Sequence, residues 1–158
     1  TAVFRLASPD PQTTLVQRAA LLLDQLPPGA QMPLAAYFPP PVPGNFQAAA
    51  EIETALPGPD DGRYLPVRLD QQKILLAESG LSAAVEMEIS LAEAGAAARR
   101  IWVVAAAYDQ QGNVAGLRRW ESEKEAVLEG TQRLPIRFNV YSVSNKIAKV
   151  ELYAEARP

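Results

Sequence analysis

The stretch IWVVAAAYDQQGNVAGLRRW, residues 101–120, predicts a β-hairpin. Its first part, Ile101 to Tyr108, is apolar at nearly every position, which indicates a strand. Asp109-Gln110-Gln111-Gly112-Asn113 then supplies residues that favour a tight turn. Because the run from Val114 to Trp120 returns the chain, we expect Gly112 or Asn113 at the hairpin tip with a positive φ.

Alternating apolar and polar residues flank this hairpin on both sides, at 83–91, 134–141 and 148–155. Shorter apolar runs at 64–69 and 74–77 bring the expected number of strands to six or seven. Short strands separated by frequent turns predict an all-β fold, an immunoglobulin-like antiparallel sandwich. Its core should contain the residues on the inward parity of these strands: Val85, Met87, Ile89, Val103, Ile136, Phe138, Val150 and Leu152.

A long repeat predicts how the chain is divided. Leu26 to Leu34 reads LPPGAQMPL and is answered by LEGTQRLPI at 128–136, and the residues around Ile52 are answered by those around Leu152. A repeat unit of this length is a domain rather than a solenoid turn. We therefore expect a tandem repeat, with a partial immunoglobulin-like module at 1–57 and a complete one at 63–158, joined by the turn-rich stretch 56–62.

The first half is rich in proline, and Pro39 to Gly44 should be a loop because proline can neither continue a helix nor donate inside a sheet. Local spacing at 15–26 favours a helix, whereas the repeat predicts a strand at 14–23, and we follow the repeat. About four strands would leave an apolar face uncovered. We expect residues 1–57 to cover it by packing on the second module or by self-association with another copy, through Leu15, Leu21, Leu23, Leu34, Tyr37 and Ile52.

Composition excludes several classes of function. The net charge of −3, without long runs of either sign, argues against a nucleic-acid interface. The chain has no Cys and no His, which excludes disulfides, Ser-His and Cys-His catalysis and ordinary zinc sites. No stretch approaches the roughly 20 apolar residues of a membrane helix, so we expect no direct membrane insertion. The first residues, Thr1 to Arg5, suggest that an upstream segment was removed.

The residues 104–116, followed by Leu128-Glu129-Gly130 and residues 134–138, resemble the FxLYD-type immunoglobulin-like domain. In that family a Tyr-Asp dipeptide opens a Gly-containing hairpin, as Tyr108-Asp109 does here, and a Pro-Gly turn precedes a Pro-Phe strand. Glu129-Gly130 replaces that Pro-Gly. The resemblance covers 63–158 well and 3–57 poorly. It implies a β-sandwich that often occurs in tandem in bacterial envelope and secreted proteins, and it carries no catalytic residues.

Three constellations are candidates for a site. The aromatic and arginine residues around the hairpin resemble a platform for sugars or anions. In a sandwich, however, one Trp is usually core and Arg alternates outward. Asp60-Asp61 next to Gly62 is only a fragment of a calcium loop, and Glu86 and Glu88 are typical of a solvated strand face. The candidate ligand-binding residues are Trp102, Tyr108, Arg118, Arg119 and Trp120.

The sequence thus favours a non-enzymatic structural or interaction module of an exported or cell-surface bacterial protein. If that protein is anchored to a membrane, we expect the anchor to be a removed N-terminal segment. Catalytic, metal and cofactor residues are not expected. One alternative is a carbohydrate- or peptide-binding module that uses exposed aromatics. A second alternative is an accessory domain of a carboxylate-based hydrolase, which requires carboxylates that converge in a cleft.

Overall fold

The computed structural model describes residues 1–8, 14–26, 29–42, 45–56, 58, 63–123 and 127–158. The described part is all-β and contains no helix, in agreement with the alternation of the sequence. Its strands are β1 (Ala2–Ala7), β2 (Thr14–Ala19), β3 (Gln47–Ile52), β4 (Val67–Leu76), β5 (Ser82–Leu91), β6 (Ala97–Ala98), β7 (Arg100–Tyr108), β8 (Val114–Glu121), β9 (Leu128–Glu129), β10 (Leu134–Tyr141) and β11 (Lys149–Arg157).

The chain folds into two compact units. The first consists of Thr1–Leu22 and Gly29–Pro59, and the second of Leu23–Pro28 and Asp60–Pro158. The short segment that begins at Leu23 therefore belongs to the second unit, although the chain around it belongs to the first. Leu23 is buried there. In the described residues, no helix has the length and apolar character needed to cross a membrane.

The first unit contains one antiparallel sheet in the order β2-β1-β3. Its register places Phe4 beside Gln17 and Ala50, and Arg5 beside Val16 and Ala49. Cross-strand partners share a face, so one face is mainly apolar, whereas the other, here called the polar face, carries the charged residues together with Val3 and Val16. The polar face carries an ion pair between Arg5 and Glu51 at 2.9 Å. The apolar face carries Ala2, Phe4, Leu6, Leu15, Ala19, Ala48, Ala50 and Ile52.

The second unit is a β-sandwich of two three-stranded antiparallel sheets, β10-β5-β4 and β11-β7-β8, with an additional two-stranded sheet, β6-β9. The first order is that of strands E, B and A in a variable-type immunoglobulin domain. The second is that of strands F, C and C′. Backbone hydrogen bonds join the two sheets at both margins of the sandwich. The Leu65 amide donates to the Ala156 carbonyl at 2.9 Å beside β4 and β11, and the Val143 amide donates to the Ala115 carbonyl at 2.9 Å beside β8.

One hydrophobic core lies between these sheets, as the parity of the strands predicts. Six of the eight expected residues are buried in it, and the other two, Phe138 and Leu152, are partly buried against it. Val85, Ile89 and Val103 are fully buried. The hairpin at 101–120 is confirmed as well, because β7 and β8 pair and Gly112 has φ +82°.

Three strand predictions differ from the structure. The two short strands expected at 64–69 and 74–77 are one strand, β4, interrupted by a β-bulge between Asp70 and Lys73 where Gln71 has φ 51°. The bulge changes which alternate residues of the strand are apolar, so the sequence pattern indicated two separate strands. The strand expected at 14–23 ends at Ala19, because the chain then turns to bring Leu23 into the second unit. The described part of 1–57 contains three strands rather than four.

Gly116 supplies a test of this packing. A methyl group on Gly116 would overlap the Tyr141 carbonyl oxygen, where β8 and the end of β10 approach closely. We expect Gly116→Ala to lower the free energy of unfolding by about 1–3 kcal/mol, because neither backbone can move away without breaking its sheet. Gly95→Ala is the control, since its added methyl group would meet no atom within 4 Å. Urea denaturation measures both, and equal midpoints would contradict this packing.

Candidate functional site

The five residues predicted from sequence do not share one face of the sheet. Trp102 lies opposite Glu121, whereas Trp120 lies opposite the core residue Val103. Because cross-strand partners share a face and neighbours alternate, the two indole rings lie on opposite faces. Arg118 follows the parity of Trp120. The outer face of the sheet therefore carries Trp102, Arg119 and Tyr108, with Trp102 and Tyr108 near opposite ends of β7, and Trp120 packs against the core.

Trp102 is covered by a cation from its own chain. The Arg157 guanidinium lies 5.1 Å from the centre of the Trp102 ring and 4.9 Å from that of the Tyr64 ring. Trp102 is 9% exposed. This stacking is a cation–π interaction that uses the ring face a ligand would need. Arg157 was missed in the sequence because it lies on a different strand, at the far end of the chain.

A buried carboxylate, Glu155, lies beside this cation. Its Oε2 accepts hydrogen bonds from the backbone amides of Asp24 at 2.8 Å and Gln25 at 2.9 Å. Its Oε1 accepts one from Arg157 Nε at 3.2 Å, and Arg157 also pairs with the Asp24 carboxylate. Two successive amides aimed at one oxygen form a small anion-binding nest. Glu155 therefore fixes the segment at Leu23 to β11.

Burial raises the pKa of the Glu155 carboxyl group, and the Gln25 amide opposes this rise. The cost of burying the charge is thus only partly offset by its hydrogen bonds. A carboxyl group with this environment is a candidate acid in an enzyme. Here, however, its oxygens are occupied by backbone amides and Arg157, which is the pattern of a structural carboxylate.

A second polar cluster lies further along the same outer face. Tyr153 donates a hydrogen bond to Glu151 at 2.7 Å, and Lys149 donates to the other oxygen of Glu151. The bond from Lys149, followed by that from Tyr153, lowers the pKa of Glu151. Burial is the main cause that raises the pKa of Tyr153 and of Tyr108. None of these three groups is set to exchange a proton near neutral pH, so the cluster is suited to binding by hydrogen bonds rather than to acid–base catalysis.

Asp109 holds the hairpin tip. Its carboxylate accepts hydrogen bonds from the amides of Gln111 at 3.0 Å and Asn113 at 2.8 Å. The Asn145 side chain donates another at 2.8 Å, which is the main cause of the lowered pKa of Asp109. The sequence indicated a turn here, but Asn145 comes from the loop between β10 and β11. Asp109 thus joins two loops at one end of the sandwich.

The paired carboxylates Glu86 and Glu88 lie on the outer face of the other sheet. Arg137 lies 3.4 Å from Glu86, and Arg133 lies 2.9 Å from Glu88. They border an open depression of about 420 Å³ that Lys73 also lines. Each carboxylate thus has a cation beside it, as is usual on a solvated strand face. The predicted calcium-loop fragment at Asp60-Asp61 lies outside the described residues, and the described residues contain no group of three carboxylates placed to hold a metal ion.

The margin between β4 and β11 carries exposed apolar side chains. Ile74 and Leu76 lie opposite the core residues Val85 and Ala83, so both point to the inner face. They are nevertheless 37% and 50% exposed. Beyond the bridge from Leu65 to Ala156, no strand in the described part of the chain pairs with this side of β11. In an immunoglobulin domain, strand G lies at this side of strand F.

The backbone of β11 is also open at this margin. Ala156 directs its carbonyl toward Leu65 and therefore away from β7. Residues two apart on a strand direct their backbone groups to the same side, so Val150, Leu152 and Ala154 direct theirs to the margin. The same three residues contribute side chains to the inner face. An extended segment placed here would gain backbone hydrogen bonds and an apolar contact together.

Comparisons with known proteins add no family to this description. No protein-family profile matches the chain. Searches of curated proteins and of solved structures also find no match.

Replacing Glu155 tests its structural role. We expect Glu155→Ala to lower the free energy of unfolding by about 3 kcal/mol, because it leaves two backbone amides and Arg157 without their acceptor. Denaturation followed by the fluorescence of nearby Trp102 measures the loss. Glu78→Ala is the control, since Glu78 lies in an exposed turn, and it should change stability by less than about 0.5 kcal/mol. Similar midpoints for the two variants would refute the role of Glu155.

The lowered pKa of Asp109 predicts a pH dependence. An acid whose pKa is lowered by folding stabilises the protein above its unfolded-state pKa, and that stability is lost as the pH falls through the folded-state value. Asp109→Asn removes this contribution. The difference in unfolding free energy between wild type and Asp109→Asn should therefore be largest at neutral pH and shrink below the ordinary value of 3.8. A difference that is constant down to low pH would contradict the assignment.

Proposed function

We propose that this chain is a non-enzymatic structural and protein-interaction module of an exported bacterial protein, and that it binds an extended segment of a partner at the β4–β11 margin. The observation that carries the proposal is the exposure of Ile74 and Leu76 on the inner face of β4, together with the unpaired backbone of β11, which the chain just before β4 bridges at Leu65. Strand addition needs both features, because backbone hydrogen bonds provide affinity and side-chain pockets provide specificity. The FxLYD-type resemblance supports the exported setting.

The ionisable groups support the same function. Among the described residues of the second unit, Glu155, Asp109 and Glu151 are carboxylates with shifted pKa values, and each is hydrogen-bonded within that unit. Their hydrogen bonds hold loops and the segment at Leu23 in place, which is a structural role. The alternative of an aromatic platform for carbohydrate is not favoured, because Trp102 and Trp120 lie on opposite faces and Arg157 covers Trp102.

A library of displayed linear peptides tests the proposal, with the whole chain as the target. We expect the selected peptides to have apolar residues at alternate positions and to bind Leu76→Lys at least about tenfold more weakly than wild type, a loss of about 1.4 kcal/mol. The lysine places a charge in the apolar margin that a bound strand would cover.

Leu75→Lys is the matched control, because Leu75 is 41% exposed on the same strand but lies opposite Ala84 on the outer face. It should leave peptide binding unchanged. Selected peptides that bind both variants equally would place the binding surface elsewhere. A glycan array run in parallel distinguishes the carbohydrate alternative, and glycan binding that requires Trp102 or Tyr108 would replace this proposal.

A further inference from the structure

The outer edge of β3, in the first unit, also has no partner strand in the described part of the chain. All six of its residues, Gln47–Ile52, are exposed, and Ile52 is 71% exposed. The Glu53 amide donates to the Thr1 carbonyl at 3.1 Å, so the odd-numbered residues of β3 bond to β1. Ala48, Ala50 and Ile52 therefore direct their backbone groups outward. The structure describes no strand on that side.

Apart from the open length of β11, the other edges of the three-stranded sheets carry features that hinder pairing with another chain. β4 has a bulge, β10 contains Pro135, and β8 is partly covered by the backbone bond at Ala115. Leu65 covers one end of β11, and Arg18 lies on β2. Bulges, proline, basic side chains and covering segments are the usual protection of an edge strand. β3 has a regular register with β1 and contains neither proline nor a basic residue.

We propose that the outer edge of β3 is a self-association surface, on which β3 of a second copy of this chain pairs antiparallel about a twofold axis. Such an isologous contact is the commonest way in which a chain pairs with itself. The pairing would place the apolar residues Ala48, Ala50 and Ile52 of both copies on one face of a continuous six-stranded sheet. The inference rests on β3 alone and is independent of the β4–β11 margin.

The charges on β3 fit this pairing. A twofold axis normal to the sheet places residues of equal parity opposite each other, with their side chains on the same face. With the axis at Ala49, Gln47 lies opposite Glu51 of the second copy. With the axis at Ala50, Gln47 lies opposite Glu53 of the second copy. In neither register do two carboxylates face each other, and in both an acidic residue faces Gln47.

Charge reversal at Gln47 tests the proposal by sedimentation equilibrium of the whole chain over a wide range of concentrations. We expect a monomer–dimer equilibrium for wild type. Gln47→Lys should strengthen dimerisation by about three- to tenfold, because two symmetry-related pairs become attractive. Gln47→Glu should weaken it by a similar factor. Both effects should decrease at high salt, since these side chains are exposed to solvent.

Thr14 is the matched control position. It lies on the same face and at the same level as Gln47, on the opposite edge strand, because Ala7 is the partner of both residues. Thr14→Lys and Thr14→Glu should leave the dissociation constant unchanged. A third variant, Ala50→Pro, removes an outward amide without removing a bond to β1, and it should abolish the dimer while β1–β3 stay folded.

Hydrogen exchange gives an independent readout. The amides of Ala48, Ala50 and Ile52 should become protected as the concentration rises, and those of β4 should not change. A wild-type chain that is monomeric at every concentration would overturn the inference. So would a dimer that responds equally to the Thr14 and Gln47 variants. Peptide binding at the β4–β11 margin would survive either result, so the two proposals fail separately.

Discussion

Burial of β7 on both faces is the constraint on which the second unit depends. Ile101, Val103 and Ala105 face the core, while Val104 and Ala106 on the outer face are also fully buried. A strand with two buried faces cannot place charges on either, which explains its almost uninterrupted apolar sequence. The polar groups of this sheet are therefore confined to the flanking strands. On β11 they form the two clusters around Glu155 and Glu151, and on β8 Arg119 pairs with Glu121.

The Glu155 cluster shows how the sandwich incorporates a distant part of the chain. One buried carboxylate binds two successive amides at Asp24 and Gln25, and Arg157 connects it to the rings of Tyr64 and Trp102. Removing a single partner of a buried charge costs more than the pair contributes, because the remaining charge stays desolvated. The cluster is thus a cooperative attachment point. It gives these residues a structural role that accounts for their burial without catalysis.

Local patterns predicted most of the second unit. The alternation at 83–91 and 134–141, and the turn at Asp109–Asn113, depend on neighbours in sequence and were confirmed as β5, β10 and the β7–β8 hairpin. Glu155 and Arg157 were not recognised, because their partners at Asp24 and Trp102 are far away in the chain. The bulge in β4 was missed because it shifts parity and looks like the end of one strand and the start of another. The aromatic residues of the hairpin were identified as a group, but only the register shows that Trp102 and Trp120 lie on opposite faces.

The two sheets that contain a hairpin and a later third strand have the same order, β2-β1-β3 in the first unit and β8-β7-β11 in the second. That residues 1–57 are a partial copy of the second unit stays a prediction. β3 and β11 hold the same place in this strand order, and both have an outer edge that is open along most of its length in the described part of the chain. In an immunoglobulin sandwich the next strand, G, occupies this edge. No described strand pairs with the outer edge of β3 or with the open length of β11, and apolar residues occupy alternate positions along both strands. Side chains then determine what each edge accepts. The β4–β11 margin carries the exposed Ile74 and Leu76, which suit a strand with large apolar residues. β3 instead offers alanines, which allow the close approach of an identical strand.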